Sequence, residues 1–428
     1  MIAEERLIIP KKTTNRFYLM IGLGLVLLVL GIIIMAMSGG DGHHDAHGAE
    51  AAAGHHAVTW YERLWANLWL NNVYFTGIAV VGLFFTTVQY VAYAGWSVLI
   101  KRVLEALAYF LPVGAIVMLV VFLGPIIFTG HNPIFHWTDH SLYEIDNPNY
   151  DPIIAGKAGF LNITFFTIRM IVYFASWIFF AWWLRKQSVA EDLNGGLTFY
   201  NKSIRISAMF LVVFGVTSSL SAWDWVLSID THWFSTMFGW YVFASWFISG
   251  LAATTLTVII LKQMGYMKMV NANHLHDLGK FVFGFSIFWT YIWFSQFMLI
   301  WYANIPEESI YFRERIGGYN DHYTWILFTN LIVNFAFPFL VLMTRDAKRQ
   351  MIMLKLVCVV ILIGHWMDFY LMIMPGTLRG ESGFGLIELG CALTFLGAFL
   401  VMFTRGLTSA SLVPVNHPFL EESIHHHV

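Results

Sequence analysis

Ten stretches of about 20 mostly apolar residues run through this chain, starting near Phe17, Asn71, Ala106, Leu161, Ser203, Thr236, Leu278, His322, Ile352 and Phe384. Each is long enough to cross the hydrocarbon core of a bilayer, where a segment must satisfy its own backbone polar groups and so becomes a helix. The expected fold is therefore all-α, a polytopic transmembrane helix bundle of about ten spans. Composition points the same way, because 58% of the 428 residues are hydrophobic and 12% are charged, where a soluble domain carries about 25% charged residues. Aromatic residues reach 17%, which suits helices anchored at membrane interfaces. A net charge of -2 excludes the basic surface that nucleic acid demands. Membrane lipid is the expected surrounding, and nucleic acid is not an expected partner.

Orientation follows from Lys and Arg, which favour the cytoplasmic loops. Eighteen of them, from Arg6 to Arg405, fall on one side of the ten runs, against five on the other: Arg63, Lys157, Arg313, Arg315 and Arg379. Both termini are thus expected in the cytoplasm. The first run, ending at Met37, exceeds a signal-peptide core and is followed by no small-x-small cleavage site, so it reads as a retained anchor. The chain then divides into a tail and first anchor helix (1–37), a histidine-rich outer loop (38–70), nine further helices (71–405) and a cytoplasmic tail (406–428). The stretch from Asp41 to His56 holds five histidines and reads either as a flexible loop or as a metal-binding tract. No metal site is assigned.

Cys358 and Cys391 both lie in apolar runs and read as small buried hydrophobes. Two cysteines cannot ligate an iron–sulfur cluster, and no C-x-x-C-H string is present to attach a c-type haem. His365 is the only histidine well inside a span, which argues against a bis-histidine haem b. The sequence holds neither a P-loop nor a dinucleotide-binding glycine fingerprint.

An ionisable group inside a span costs several kcal/mol unless it is paired, hydrated or neutral. Five residues need such a reason: Arg169 in the fourth run, Asp224 at the outer end of the fifth, His365 and Asp368 in the ninth, and Glu388 in the tenth. His365 and Asp368 stand three apart, on one helix face, where they can exchange a proton directly or through water. Glu388 opens the return helix, so the three can form one polar cluster. That cluster reads equally as a proton path or as a structural lock between the ninth and tenth helices. Arg169 lies too deep to snorkel outward and needs an anion or carbonyl partner, with Asp224 and Glu388 as the candidates. Asn330 and Asn334, four apart on the eighth helix, and Ser286, Thr290 and Gln296 on the seventh read as interhelical hydrogen-bond glue.

Two longer stretches carry a resemblance: SAWDWVLSIDTHWFSTMFGWY (Ser221 to Tyr241) and HLHDLGKFVFGFSIFWTYIWFSQFMLIWYANIPEE (His274 to Glu308). With GHWMDFYLMIMP (Gly364 to Pro375) and the ten-span layout, the chain resembles the F-type membrane subunits (ActF) of alternative complex III, within the wider NrfD or polysulfide-reductase membrane-subunit group. The resemblance covers nearly every span and leaves out the histidine-rich loop and the tail after Arg405. It implies an integral subunit of a bacterial inner-membrane respiratory complex that oxidises quinol and passes electrons to cytochrome c or directly to a terminal oxidase. It also implies that this chain holds no redox centre of its own. Haem c and iron–sulfur centres would then belong to partner subunits: multihaem and monohaem cytochromes c, an iron–sulfur protein, and a homologous C membrane subunit that carries the better-supported quinol site. Helical half-channels for protons have been proposed for such subunits, and His365, Asp368 and Glu388, with Asp224 and Arg169, are where one would lie here.

Two other readings stay open. One places a quinol-oxidising site in this chain, with Asp368 or Glu388 as proton acceptor beside His365. The other is an independent secondary transporter, whose broken helices would carry mirrored Gly or Pro interruptions. Pro112, Pro125 and Pro338 interrupt spans without such a mirrored pattern.

Overall fold

The computed structural model describes residues 4–38, 58–318, 321–381 and 383–427. The histidine-rich stretch from Asp41 to His56 lies outside the described residues. Among those described are ten helices long and apolar enough to cross a membrane, numbered here α1 (Lys11–Met37), α2 (Trp60–Val91), α3 (Gly95–Thr129), α4 (Ile163–Asn194), α5 (Leu197–Ile229), α6 (Phe238–Gln263), α7 (Ala272–Ala303), α8 (Thr324–Val341), α9 (Met351–Leu378) and α10 (Leu386–Thr408). The chain is a multi-pass membrane protein with an all-helical fold. An even number of spans returns both ends to one face, where the Leu412 N–H donates to the Glu5 carbonyl at 2.8 Å. We call this the terminal face and the opposite one the far face.

Helix α2 is the axis of the bundle: it packs against α3, α5, α6, α9 and α10 and is buried along most of its length, as is α6. The approach of α2 to α6 depends on Gly77, since a Cβ there would lie 1.9 Å from the Trp246 ring. Helix α1 packs almost wholly on α10, and glycines let the two backbones meet. A Cβ on Gly24 would come within 2.7 Å of the Gly390 carbonyl oxygen. Without a hydrophobic drive between helices in lipid, such close van der Waals packing is what holds a peripheral span in place. Its opposite face, with Leu19, Val26 and Ile34, is exposed.

Two helices begin about eleven residues before their apolar runs do. Helix α2 starts at Trp60 rather than Asn71, inside the stretch expected to be loop, with Thr59 and Glu62 forming a capping box. Asn67, Asn71 and Asn72 interrupt the apolar run yet are fully buried, because each side-chain amide donates to a carbonyl or carboxylate. Helix α3 starts at Gly95 rather than Ala106, and its first turns hold Lys101, Arg102 and Glu105. The tail after α10 is also not free, since the short helix Leu420–Ile424 packs against the start of α3.

Interior prolines free a carbonyl one turn earlier, and side chains answer two of the four in these spans. Pro125 frees Val121, whose carbonyl accepts from Asn132 Nδ2 at 3.2 Å. Pro375 frees Leu371, whose carbonyl accepts from Arg315 Nε at 2.9 Å. Pro338 frees Asn334, and there α8 widens into a π-helical turn over Ile332–Ala336, a distortion frequent at functional sites.

The docked tail gives a pH prediction. His417 is buried, and its Nδ1 accepts the Phe419 N–H at 3.2 Å, which requires a neutral ring. Burial, with Lys101 adding to it, pushes this imidazole down to about 2. A depressed folded value means stability that is present above the ordinary value of about 6.5 and lost as pH falls below it. Limited proteolysis should therefore release the tail faster at pH 5 than at pH 7.5, and His417→Asn should remove the difference. For the core, Gly77→Val should lower the melting temperature of the detergent-solubilised protein, since overpacking costs about 1–3 kcal/mol.

Candidate functional site

Asp368 and His365 sit on α9 with no exposed surface. The Asp368 carboxylate accepts four hydrogen bonds, all from neutral groups on three other helices. Tyr241 Oη and Ser245 Oγ of α6 donate at 2.5 and 2.6 Å, Trp289 Nε1 of α7 at 3.0 Å, and Asn330 Nδ2 of α8 at 2.8 Å. Among the described residues no Lys or Arg pairs with it. Among the described residues, the group at ion-pair distance that could carry positive charge is His365, with Nδ1 at 3.7 Å. Neither ring nitrogen of His365 has a hydrogen-bond partner among the described residues, and the ring lies edge-on to Trp289 with centroids 5.3 Å apart.

Local sequence explains how these groups converge. Tyr241 and Ser245 are four apart and share one face of α6. On α8, Asn334 Nδ2 donates to Asn330 Oδ1 at 2.5 Å, which turns the Asn330 amide nitrogen toward Asp368. Gly364 makes room for this pair, because a Cβ there would sit 2.1 Å from Asn334 Oδ1. The π turn thus begins two residues after Asn330, the residue of α8 that donates to the buried carboxylate. Ser286 and Thr290 donate to their own helix, and Gln296 Nε2 reaches Ser235 Oγ at 2.7 Å.

The other three ionisable residues lie elsewhere. Arg169 and Asp224 form a buried bidentate pair, with Nε and Nη2 at 2.8 Å from the two carboxylate oxygens. Tyr173 Oη donates to the same carboxylate at 2.8 Å, and Arg169 also donates to the Phe160 carbonyl at 2.9 Å. The expected three-member cluster does not form, because Glu388 pairs instead with Arg63 of α2. Arg63 Nε and Nη2 donate at 2.7 and 2.8 Å, joined by Asn67 Nδ2 and the Gly385 N–H at 2.8 Å. A full bidentate charge on the neighbouring helix outcompetes a buried imidazole. Asn67 nevertheless links Glu388 toward α9: Asn71 donates to the Asn67 carbonyl, and Trp366 Nε1 donates to Asn71 Oδ1 at 2.9 Å.

Two polar features escape a reading of the sequence. Near the terminal face, Lys101, Arg102 and Arg185 interlock with Glu105, Glu191 and Asp192, three positive against three negative groups. These basic residues flank apolar runs and so look like loop charges. At the far face, a cavity of about 450 Å³ is lined by His136, Asp139, Asp151, Asp230 and Tyr311, among others. Below it Arg315 pairs with Asp230 at 3.0 Å and lies over the Tyr311 ring at 3.4 Å. Phe238 bridges Tyr311 to Tyr241, with ring centroids 6.0 and 5.7 Å away, so the Asp368 site lies two rings from this cavity. Among the described residues, no group of three or more His, Cys, Asp or Glu is arranged to hold a metal ion.

Comparison of the sequence with protein-family models and with curated proteins returns no match.

The Arg169–Asp224 pair yields a double-mutant prediction. Arg169→Leu should destabilise the solubilised protein by about 3–5 kcal/mol, because Asp224 is left charged and buried, and the added Asp224→Leu should recover much of that loss. Thermal unfolding followed by size-exclusion profile reads both. A double variant no more stable than the single one would contradict the assignment.

Proposed function

We propose that this chain is an integral-membrane subunit of a bacterial respiratory complex of the alternative complex III type, and that Asp368 is a proton relay coupled to quinol oxidation. Quinol is oxidised and the haem c and iron–sulfur centres reside in partner subunits; this chain provides scaffold and proton path in the inner membrane. The motifs around Trp223, Trp289 and Asp368 support the assignment to that complex. One observation carries the relay: a fully buried carboxylate with four neutral donors and, among the described residues, no Lys or Arg partner. A carboxylate fixed by arginine, as in the Arg169–Asp224 pair, has both oxygens committed to a rigid bidentate cation and serves as a structural link. Asp368 has no such partner, and the Tyr241 and Ser245 hydroxyls that donate to it can turn to accept once it takes up a proton. His365, one helical turn away with both ring nitrogens unengaged, is the second station. Tyr241 lies on the side of the far-face cavity, from which the Phe238 and Tyr311 rings separate it.

Asp368→Asn in the intact complex should leave assembly and haem content unchanged and slow quinol-driven proton release in proteoliposomes by at least tenfold, the rate factor that about 1.4 kcal/mol represents. Normal proton release from an intact Asp368→Asn complex would return this centre to a structural role.

A further inference from the structure

Helices α9 and α10 are consecutive in the chain, yet they do not pack along each other. Between them runs a groove of about 810 Å³, floored by α2 and α6. It extends along α10 from Leu386 to Phe403, about 25 Å at 1.5 Å per residue, and so covers most of the hydrocarbon thickness. Its rims are open to the bilayer, since Ile260, Ile363 and Leu389 are each at least 40% exposed.

The chemistry of the lining narrows the occupant. Four side chains that line the groove carry polar atoms apart from its apolar wall: Tyr74, Thr257, Trp366 and Glu388. Each is already engaged within the protein. Tyr74 Oη donates to the Leu362 carbonyl at 2.7 Å, Thr257 Oγ1 to the Ala253 carbonyl at 2.8 Å, and Trp366 Nε1 to Asn71. Glu388 is held by Arg63, Asn67 and Gly385. A quinone ring or a peptide would bury its own carbonyls here without a donor, at the cost of unsatisfied polar groups. A plain hydrocarbon chain loses nothing. An empty groove of this size would forfeit packing, and water in it would face apolar walls.

Toward the terminal face, Lys355 stands seven residues, about two helical turns, before Leu362 of the groove wall and so shares its side of α9. Its ammonium is exposed at the terminal face and reaches Gln263 Oε1 at 3.4 Å. Among the described residues it has no carboxylate partner.

We propose that this groove is a binding site for a phospholipid of the terminal-face leaflet, with one acyl chain between α9 and α10 and the phosphate at Lys355. The site keeps two consecutive helices apart at a fixed spacing, so the lipid acts as part of the bundle. To test this, the full chain is purified in mild detergent, washed until exchangeable lipid is gone, and its organic extract quantified by mass spectrometry. Phosphatidylglycerol is then titrated back onto the delipidated protein. The wild type should retain about one phospholipid per chain. Ala392→Trp, which fills the groove, should lose it, and Lys355→Gln should weaken phosphatidylglycerol rebinding about fivefold without changing the delipidated protein's melting temperature. No retained phospholipid, an isoprenoid compound in its place, or equal retention and rebinding in all three proteins would overturn the proposal.

Discussion

A buried carboxylate must be given hydrogen bonds from every side, and meeting that demand at Asp368 sets how four helices of this bundle pack. The donors come from α6, α7 and α8, and the acceptor from α9, so the site works as a common junction. Trp289 must lie flat enough to reach it, α8 must approach closely enough for Asn330, and Gly364 must stay bare for Asn334 to orient Asn330. In lipid, where helix association gains nothing from the hydrophobic effect, such polar contacts and close glycine-mediated packing decide the arrangement.

Charges elsewhere in the bundle follow the opposite rule. Arg169 with Asp224, Arg63 with Glu388, and the six interlocked groups near the terminal face each cancel charge by direct pairing. These pairs fix helices in place through bidentate or networked contacts. The contrast with Asp368 is what separates a candidate relay from the structural ion pairs, and it underlies the proton-relay role proposed for the chain.

Much of the fold could be read from the sequence, because ten apolar runs leave few alternatives to ten helices. The residues that needed explanation could be read too, since Arg169, Asp224, His365, Asp368 and Glu388 stand out against apolar surroundings. Their partners could not. Pairing Arg169 with Asp224 rather than Glu388 depends on which helices are neighbours, and tertiary packing alone decides that. Glu388 was misplaced because a short loop suggested contact between α9 and α10, whereas Arg63, counted only as a loop charge, holds it on α2. Lys101 and Arg102 count as loop charges in the sequence, and their pairing with Glu105 is not legible there for a related reason: charge beside an apolar run looks the same whether it meets water or a matching set of charges. Tyr241 and Trp289 lay within the motifs that carry the family resemblance, but an aromatic residue in a membrane helix gives no sign of what it will donate to.

The proposal that this chain works inside a respiratory complex is tested most directly by isolating it under conditions that preserve its partners. Mild-detergent purification through this chain, followed by a haem-stained gel and a visible redox spectrum, should show copurified haem c polypeptides whose absorbance responds to added quinol. A colourless chain that runs alone, from cells in which c-type cytochromes are present, would contradict it.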